Sequence, residues 1–435
     1  MQDDGVTDAT TDPARTSWVA VAAASDFPVQ NLPFGTFRRA RAEAPHIGVA
    51  IGDQILDLHE LAVANVFAPT LAGARDTLAA PTLNALLAHG RPVWRRLRER
   101  LAKLLAAGDT ELHAAGLVER ALVAQRDVQM TLPIVVADYV DFYASLEHAT
   151  NAGKIFRPHG EPLTPNWRWL PVAYHGRAAT VIAGGSDVVR PRGQIPGADG
   201  PLYAATQALD FELEMAFVTG DGPAPAAPIP VERARETIFG LALLNDWSAR
   251  DVQAWEAQPL GPFLGKSFAT SLGPWIVTLD ALEPFRVAAP LQEPAPLRYL
   301  ATHADEAYDV TLDVTLASQS MRERGVPPQR VTRVNFQTMY WTLAQMLAHA
   351  SSNGARIRAG DVFGSGTVSG GSSDSLGSML ELTWRGTRPL ALADRTTRSW
   401  LADGDEVVMR ARCAAAGATS IGFGSLAGTI VPAPT

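Results

Sequence analysis

The stretch Leu209-Asp-Phe-Glu-Leu-Glu-Met-Ala-Phe217 alternates apolar and charged side chains from Phe211 to Met215. A period of two belongs to a β-strand, where successive side chains point to opposite faces. Leu213 and Met215 then share one face, and Glu212 and Glu214 share the other. Two neighbouring carboxylates on one face repel each other unless water or a cation stands between them. The stretch therefore reads as a strand with one apolar face. Its other face is either solvated or holds a cation.

Downstream comes Ile238-Phe-Gly-Leu-Ala-Leu-Leu-Asn-Asp246-Trp-Ser-Ala-Arg250-Asp-Val-Gln253. Its first half is a continuous apolar run of the kind that fills a buried strand. Asp246, Arg250 and Gln253 follow at i, i+4 and i+7, which is one face of a helix. Shorter apolar runs near 179–183, 275–279 and 310–316 are bounded by Gly and Pro and also read as strands. One helix interrupts them: Phe336, Met339, Tyr340, Leu343, Met346, Leu347 and Ala350 keep helical spacing, and Asn353-Gly354 ends it.

Upstream, residues 138–157 place Asp141 and His148 seven apart. As one helix, two turns would bring both to the same face. A capping Asp and a surface His fit the same pattern. Before that, Ile47-Gly-Val-Ala-Ile-Gly-Asp-Gln-Ile-Leu56 reads as a hairpin turning at Gly52-Asp53. Leu83, Leu86 and Leu87 start a short helix that Gly90 ends. Pro92 opens a second helix, with Leu97, Leu101, Leu104 and Leu105 along one face, and 112–125 suggests a third. The divisions expected are a disordered leader over 1–17, an N-terminal domain over 18–133 and a second, strand-rich domain over 134–435. Residues 223–230, rich in Pro and Ala, read as a surface loop.

The 435 residues carry 37 Lys+Arg against 45 Asp+Glu, a net charge of −8. An acidic chain of this kind speaks against nucleic acid or an anionic membrane as partner. Cys413 is the one cysteine, so no intramolecular disulfide forms, and a reducing, cytoplasmic compartment is expected. No secretory signal is visible. Residues 413–435 carry no charge, and their Gly, Ser, Thr and Pro content suits buried terminal strands rather than a membrane span.

Asp141, Glu212, Glu214 and Asp246 offer only hard oxygen ligands, which suit Ca²⁺ or Mg²⁺ over zinc or copper. Leu260-Gly-Pro-Phe-Leu-Gly-Lys266-Ser267 is not a phosphate loop, since three residues separate its glycines where that loop needs four. Lys266 is then either a surface lysine or a partly buried ammonium near a cation. Gly364-Ser-Gly-Thr367-Val-Ser-Gly-Gly could present Thr367 and backbone donors to an anion, or could simply turn. Glu381 lies in the apolar run Met379-Leu-Glu-Leu382, read as a strand. There it would need a partner such as a histidine.

Taken together, several of these motifs resemble the fumarylacetoacetase family. They are Asp141-Phe-Tyr143 with His148, Pro165-Asn-Trp, Leu170-Pro-Val-Ala-Tyr174-His-Gly-Arg, Leu213-Glu-Met-Ala-Phe, Asn245-Asp-Trp-Ser-Ala-Arg-Asp-Val-Gln, Pro259-Leu-Gly-Pro-Phe-Leu-Gly-Lys-Ser-Phe and Gly377-Ser-Met-Leu-Glu-Leu. The likeness runs over nearly the whole chain. It includes Ser25-Asp-Phe-Pro-Val-Gln-Asn-Leu-Pro-Phe-Gly, Asp403-Gly-Asp-Glu-Val and Ile421-Gly-Phe-Gly.

The resemblance implies a mainly β protein with some α: an N-terminal SH3-like barrel and a C-terminal β-roll catalytic domain that homodimerises. It implies Ca²⁺ held by Asp141, Glu212, Glu214 and Asp246, and a second, Mg²⁺-type ion at Asp246, Lys266 and Thr270. It implies that His148 and Glu381 activate water, that Arg250, Gln253 and Lys266 stabilise an oxyanion, and that Tyr143, Arg157, Tyr174, Arg250, Gln253 and Thr367 hold the substrate. The implied reaction cleaves a carbon–carbon bond of 4-fumarylacetoacetate to fumarate and acetoacetate, the last step of tyrosine and phenylalanine catabolism. The neighbouring alternatives are acylpyruvate hydrolysis and β-keto-acid decarboxylation. Two positions depart from the family pattern: Ala257, where a tyrosine is usual, and Ala269, where glycine is common.

Overall fold

The computed structural model describes residues 9–223, 227–302 and 305–434. Residues 1–8 of the expected leader and 224–226 of the expected loop lie outside this range. Residues 9–17 are not a disordered leader. Arg15 donates to the Ala9 carbonyl, Gln30 Nε2 donates to the carbonyls of Asp12 and Arg15 at 2.9 Å each, and Thr10 and Thr11 are buried. The polar composition that suggested disorder instead supplies hydrogen bonds to the domain.

In the N-terminal part the hairpin forms as expected, with strands His46–Ile51 and Gln54–Asp57. Five antiparallel strands follow the order Leu122–Ala124, Gln54–Asp57, His46–Ile51, Phe34–Arg38, Gln129–Thr131. This curved, barrel-like sheet fits the expected N-terminal domain. The helix Arg91–Leu104 buries Trp94, Leu97, Leu101 and Leu104. The expected third helix is only two single turns, Glu111–Ala114 and Val118–Ala121. Gly116, at φ +65°, breaks it between them.

The second part is built on an eight-stranded sheet. Along its path run Ala173–His175, Tyr139–Phe142, Val362–Gly364, Leu213–Thr219, Ile238–Asp246, Thr270–Leu272 and Val181–Ala183, with Val277–Thr278 beside Ile238–Asp246. The alternation read from the sequence decides its two faces. Leu213, Met215, Phe217, Leu241 and Leu243 pack into one core with Leu312, Val314 and Leu347. Ala216, Val218, Ala242 and Leu244 pack on the other face against Phe34, Trp94 and Leu97 of the N-terminal part. A second, five-stranded sheet, which includes Thr311–Ala317, Glu406–Cys413 and Ile421–Val431, backs the first core. Cys413 is buried in it, and the uncharged terminus forms its strand Ile421–Val431. Among the described residues, no helix is long and apolar enough to cross a membrane.

Three further expectations change. Residues 138–157 are not one helix: Asp141 sits on the strand Tyr139–Phe142, and Ser145 caps a separate helix, Leu146–Phe156, by accepting from the His148 N–H. The helix expected from Phe336 begins as a 3₁₀ turn, Phe336–Thr338. It restarts at Leu343–Ser351 because Thr342 and Gln345 form a capping box. Glu381 is not on a strand but in the one-turn helix Met379–Leu382, capped by Ser378.

The strand Val362–Gly364 and the loop after it pass close against the carboxylate side chains. A Cβ on Gly364 would lie 2.8 Å from Glu214 Oε2. Gly366 has φ +77°, and a Cβ there would lie 2.2 Å from the Phe142 carbonyl oxygen. Gly366→Ala should therefore destabilise the fold by about 2–4 kcal/mol through strain and overlap. The effect would be read as a lower urea midpoint, and an unchanged midpoint would mean that the loop has room to yield.

Candidate active site

Strand parity brings the carboxylates together. Glu214 and Asp246 have the same parity as Ala216 and Ala242, and Asp141 the same as Tyr139, so all three point to one face of the sheet. Glu212 joins them just before the strand Leu213–Thr219, where its carbonyl accepts from the Asp246 N–H at 3.3 Å. All four are buried, and their ligand oxygens lie within 4.8 Å of one another. Asp141 Oδ1 and Glu214 Oε1 are buried without a hydrogen-bond partner.

Two cations offset part of this charge. Lys266 is buried, and its Nζ contacts Glu212 Oε2 and lies 2.6 Å from Asp246 Oδ2. Burial alone would favour its neutral form, but Asp246 and Glu212 outweigh that and hold its pKa above the ordinary lysine value. An ammonium has no lone pair to give a cation, so the Lys266 side chain balances charge rather than acting as a ligand. Arg250 Nη2 lies 2.7 Å from Glu212 Oε1. Burial raises the pKa of Glu212, but Lys266 and Arg250 overcome it and bring it to about 2. Asp141 and Glu214 have no such partner. Burial first, then their carboxylate neighbours, push both well above the ordinary range. The remaining charge and the orphaned oxygens suit a divalent cation bound through oxygen alone.

His148 and Glu381 meet from two helices. His148 Nδ1 is 2.6 Å from Glu381 Oε2, and both side chains are buried. Ser369 and Ser378 donate to the same oxygen at 2.8 and 3.0 Å, and Asn151 Nδ2 donates to Oε1 at 2.9 Å. Burial would raise the Glu381 pKa, but His148, Asn151 and Ser369 hold it below the ordinary value. Glu381 is therefore a carboxylate that accepts from Nδ1, which leaves Nε2 of His148 free to take a proton.

A cavity of about 420 Å³ joins the two groups. Its lining includes Asp141, Glu212 and Glu214, with His148, Arg250, Gln253 and Lys266. Tyr143, Arg157, Tyr174 and Thr367 line it too. Tyr174 donates to Asp246 Oδ2 at 2.9 Å, Thr367 Oγ1 is buried without a partner, and the Tyr143 ring stands edge-on to His148. Asp246 ends a strand and Arg250 starts the helix Arg250–Glu256, so these two do not share the helix face that their spacing suggested. Thr270 donates to Asp246 Oδ1 at 3.0 Å on the side of a smaller cavity, about 220 Å³, which also touches Lys266 and Tyr139.

Comparison with known proteins gives the family. A family model described as "Fumarylacetoacetate (FAA) hydrolase C-terminal" matches residues 138–431, and one described as "Fumarylacetoacetase N-terminal" matches 30–133. The chain belongs to the fumarylacetoacetase family. It is 47% identical to the fumarylacetoacetase of Oryza sativa subsp. japonica, over 96% of this chain and 97% of that one. The Caenorhabditis elegans and Homo sapiens fumarylacetoacetases are 48% and 45% identical, each over 96% of this chain and 99% of theirs. Among solved structures, a fumarylacetoacetate hydrolase from psychrophilic Exiguobacterium antarcticum has the same fold. Its TM-score is 0.52 at 17% identity, covering 93% of this chain and all of that one.

Against the fumarylacetoacetase pattern, Ala257 caps the helix Arg250–Glu256 and is absent from the cavity lining, where Gln253, Leu260, Gly261 and Pro262 stand. Sequence reasoning missed Glu256. Its Oε1 accepts from the N–H groups of Phe263 and Gly265 at 2.9 and 2.7 Å, which fixes the turn that carries Lys266. It also missed Asn151, Ser369 and Ser378. For Asn151 a signal existed, because it lies three residues, nearly one helical turn, after His148.

The raised carboxyls predict a pH effect. A carboxyl with a higher pKa in the fold than in the unfolded chain stabilises the fold below its ordinary value. That contribution is lost as pH rises through the folded value. Asp141 and Glu214 should therefore make cation-free protein less stable as pH rises above the ordinary carboxylate range, while cation-loaded protein escapes this loss. Melting scans should show the gap between the two forms widening with pH, with protons released on cation binding in calorimetry. A constant gap without proton release would mean that both carboxyls are already ionised.

Proposed function

We propose that this protein hydrolyses 4-fumarylacetoacetate to fumarate and acetoacetate. The observation that carries the reading is a cavity lined by His148, whose ring Glu381 holds from behind, and by three carboxylates of the cluster, Asp141, Glu212 and Glu214. Membership of the family, with relatives named fumarylacetoacetase over 96% of the chain, supports it.

His148 Nε2 takes a proton from water, with Glu381 holding the ring and balancing the imidazolium charge. The water oxygen adds to the carbonyl carbon on the fumaroyl side. Arg250, Gln253 and Lys266 bind the oxyanion that forms. As the carbonyl re-forms, the carbon–carbon bond breaks and its electron pair leaves on the acetoacetate carbon as an enolate. His148 returns its proton to that carbon, and the water oxygen stays in the new fumarate carboxyl group. A divalent cation at the carboxylates would polarise the diketone oxygens as a Lewis acid. Tyr143, Arg157, Tyr174 and Thr367 hold the substrate.

In this reading Ca²⁺ is held by Asp141, Glu212, Glu214 and Asp246, supported by their oxygen-only donors and unpartnered atoms. Mg²⁺ would be held on the smaller cavity by Asp246 and Thr270, beside Lys266. The matched ranges support a division into domains at residue 133. The protein works as a homodimer, for which the apolar surface of Leu202, Tyr203, Leu260 and Phe263, at 56–96% exposure, provides an interface. A cytoplasmic location suits the lone, buried Cys413.

Chelation should abolish turnover, and Ca²⁺ or Mg²⁺ should restore it; full activity of cation-free protein would sink the cation's role. A panel of fumarylacetoacetate, an acylpyruvate and oxaloacetate tests the substrate, and preference for either of the last two would replace the reading with the corresponding activity. His148→Ala should leave the fold and cation affinity intact and lower kcat by about 10²–10⁴. Near-normal turnover would move water activation to another residue.

A further inference from the structure

Asp210 has no part in the reaction above, yet it is completely buried, at 0% exposure. It ends the two-residue strand Leu209–Asp210, opposite Ser248. Its carboxylate accepts from three donors. Arg250 Nε reaches Oδ2 at 2.8 Å, the Leu380 N–H reaches the same oxygen at 3.0 Å, and the Met379 N–H reaches Oδ1 at 2.6 Å.

These donors come from two separate parts of the machinery. Met379 and Leu380 are the first two residues of the one-turn helix that carries Glu381. Their N–H groups have no partner within that helix. A single turn cannot hold its own orientation, because nucleation costs more than one turn returns. Asp210 supplies the anchor from outside. On its other side it grips Arg250 by Nε, leaving Nη1 on Gln253 Oε1 at 3.2 Å and Nη2 toward Glu212.

We propose that Asp210 is a positioning residue. It fixes the spacing between Arg250 and the Glu381 turn, and so aligns the oxyanion donors with His148. The proposal rests on the roles given above to His148, Glu381 and Arg250.

Asp210→Asn keeps the shape and one acceptor oxygen but loses the charge and the second acceptor. On fumarylacetoacetate it should lower kcat by about 10–100-fold, with KM and calorimetric Ca²⁺ affinity within about threefold of wild type. In an Arg250→Ala background, where the link is already cut, the same substitution should cost less than about threefold. A kcat within about threefold of wild type, or an equal cost in both backgrounds, overturns the proposal. Should Asp210→Asn not fold, amide exchange in Arg250→Ala protein decides instead. The Met379 and Leu380 N–H groups should exchange about tenfold faster than in wild type, and unchanged protection overturns the link. Exchange needs no turnover, so a wild-type protein inactive on fumarylacetoacetate would defeat the functional reading and leave this test standing.

Discussion

Electrostatic repulsion among four buried carboxylates is the constraint on which the rest of this structure turns. At 4.8 Å, two unit charges repel by about 3 kcal/mol with an effective dielectric of about 20. Four full charges would make six such pairs, or about 20 kcal/mol, more than the whole stability of a typical domain, and burial together with this repulsion is why Asp141 and Glu214 hold protons more tightly than ordinary carboxyls. The fold must neutralise most of that sum. Lys266 and Arg250 do so on the side of Glu212 and Asp246, while Asp141 and Glu214 face each other without a cationic partner. The imbalance at Asp141 and Glu214 is what suits the cluster to a cation.

The same constraint explains the surroundings. Carboxylates can crowd only where backbone can approach them closely, and the glycines at 364 and 366 provide that approach. The loop after them brings the Gly366 N–H to Glu214 Oε2 at 3.1 Å. Lys266 must reach its partners from a turn, and Glu256 holds that turn by two backbone N–H groups. Each of these devices serves the local charge balance before it serves any reaction.

How much was legible in the sequence depended on whether the signal was local. The period of two around Leu213 correctly paired Glu212 with Glu214, because strand geometry follows from adjacent residues. The Gly52-Asp53 turn was legible for the same reason. The span 138–157 was misread as one helix because an apolar and polar mixture fits two templates, and Ser145 as a cap decides between them only once the strand before it is known. Glu381 was recognised as needing a partner, but its one-turn helix exists through Asp210 and Ser378, far away and adjacent respectively. No window of sequence contains that contact, which spans 169 residues. The roles of the site residues came from motif resemblance, and the fold then placed most of them around one cavity, with Asp246 and Thr270 on a smaller one beside it.

The face of the eight-stranded sheet that carries Ala216, Val218, Ala242 and Leu244 is closed by Phe34, Trp94 and Leu97. Asn31 adds a stitch from the N-terminal part to the second sheet, donating to the Gly422 carbonyl at 2.7 Å. The chain may be divided on paper near residue 133, but its interior is not divided there. A catalytic half made alone would carry an uncovered apolar wall beside its carboxylates. Chimeras between relatives would have to exchange both sides of that wall together, because the two halves share one packed interior.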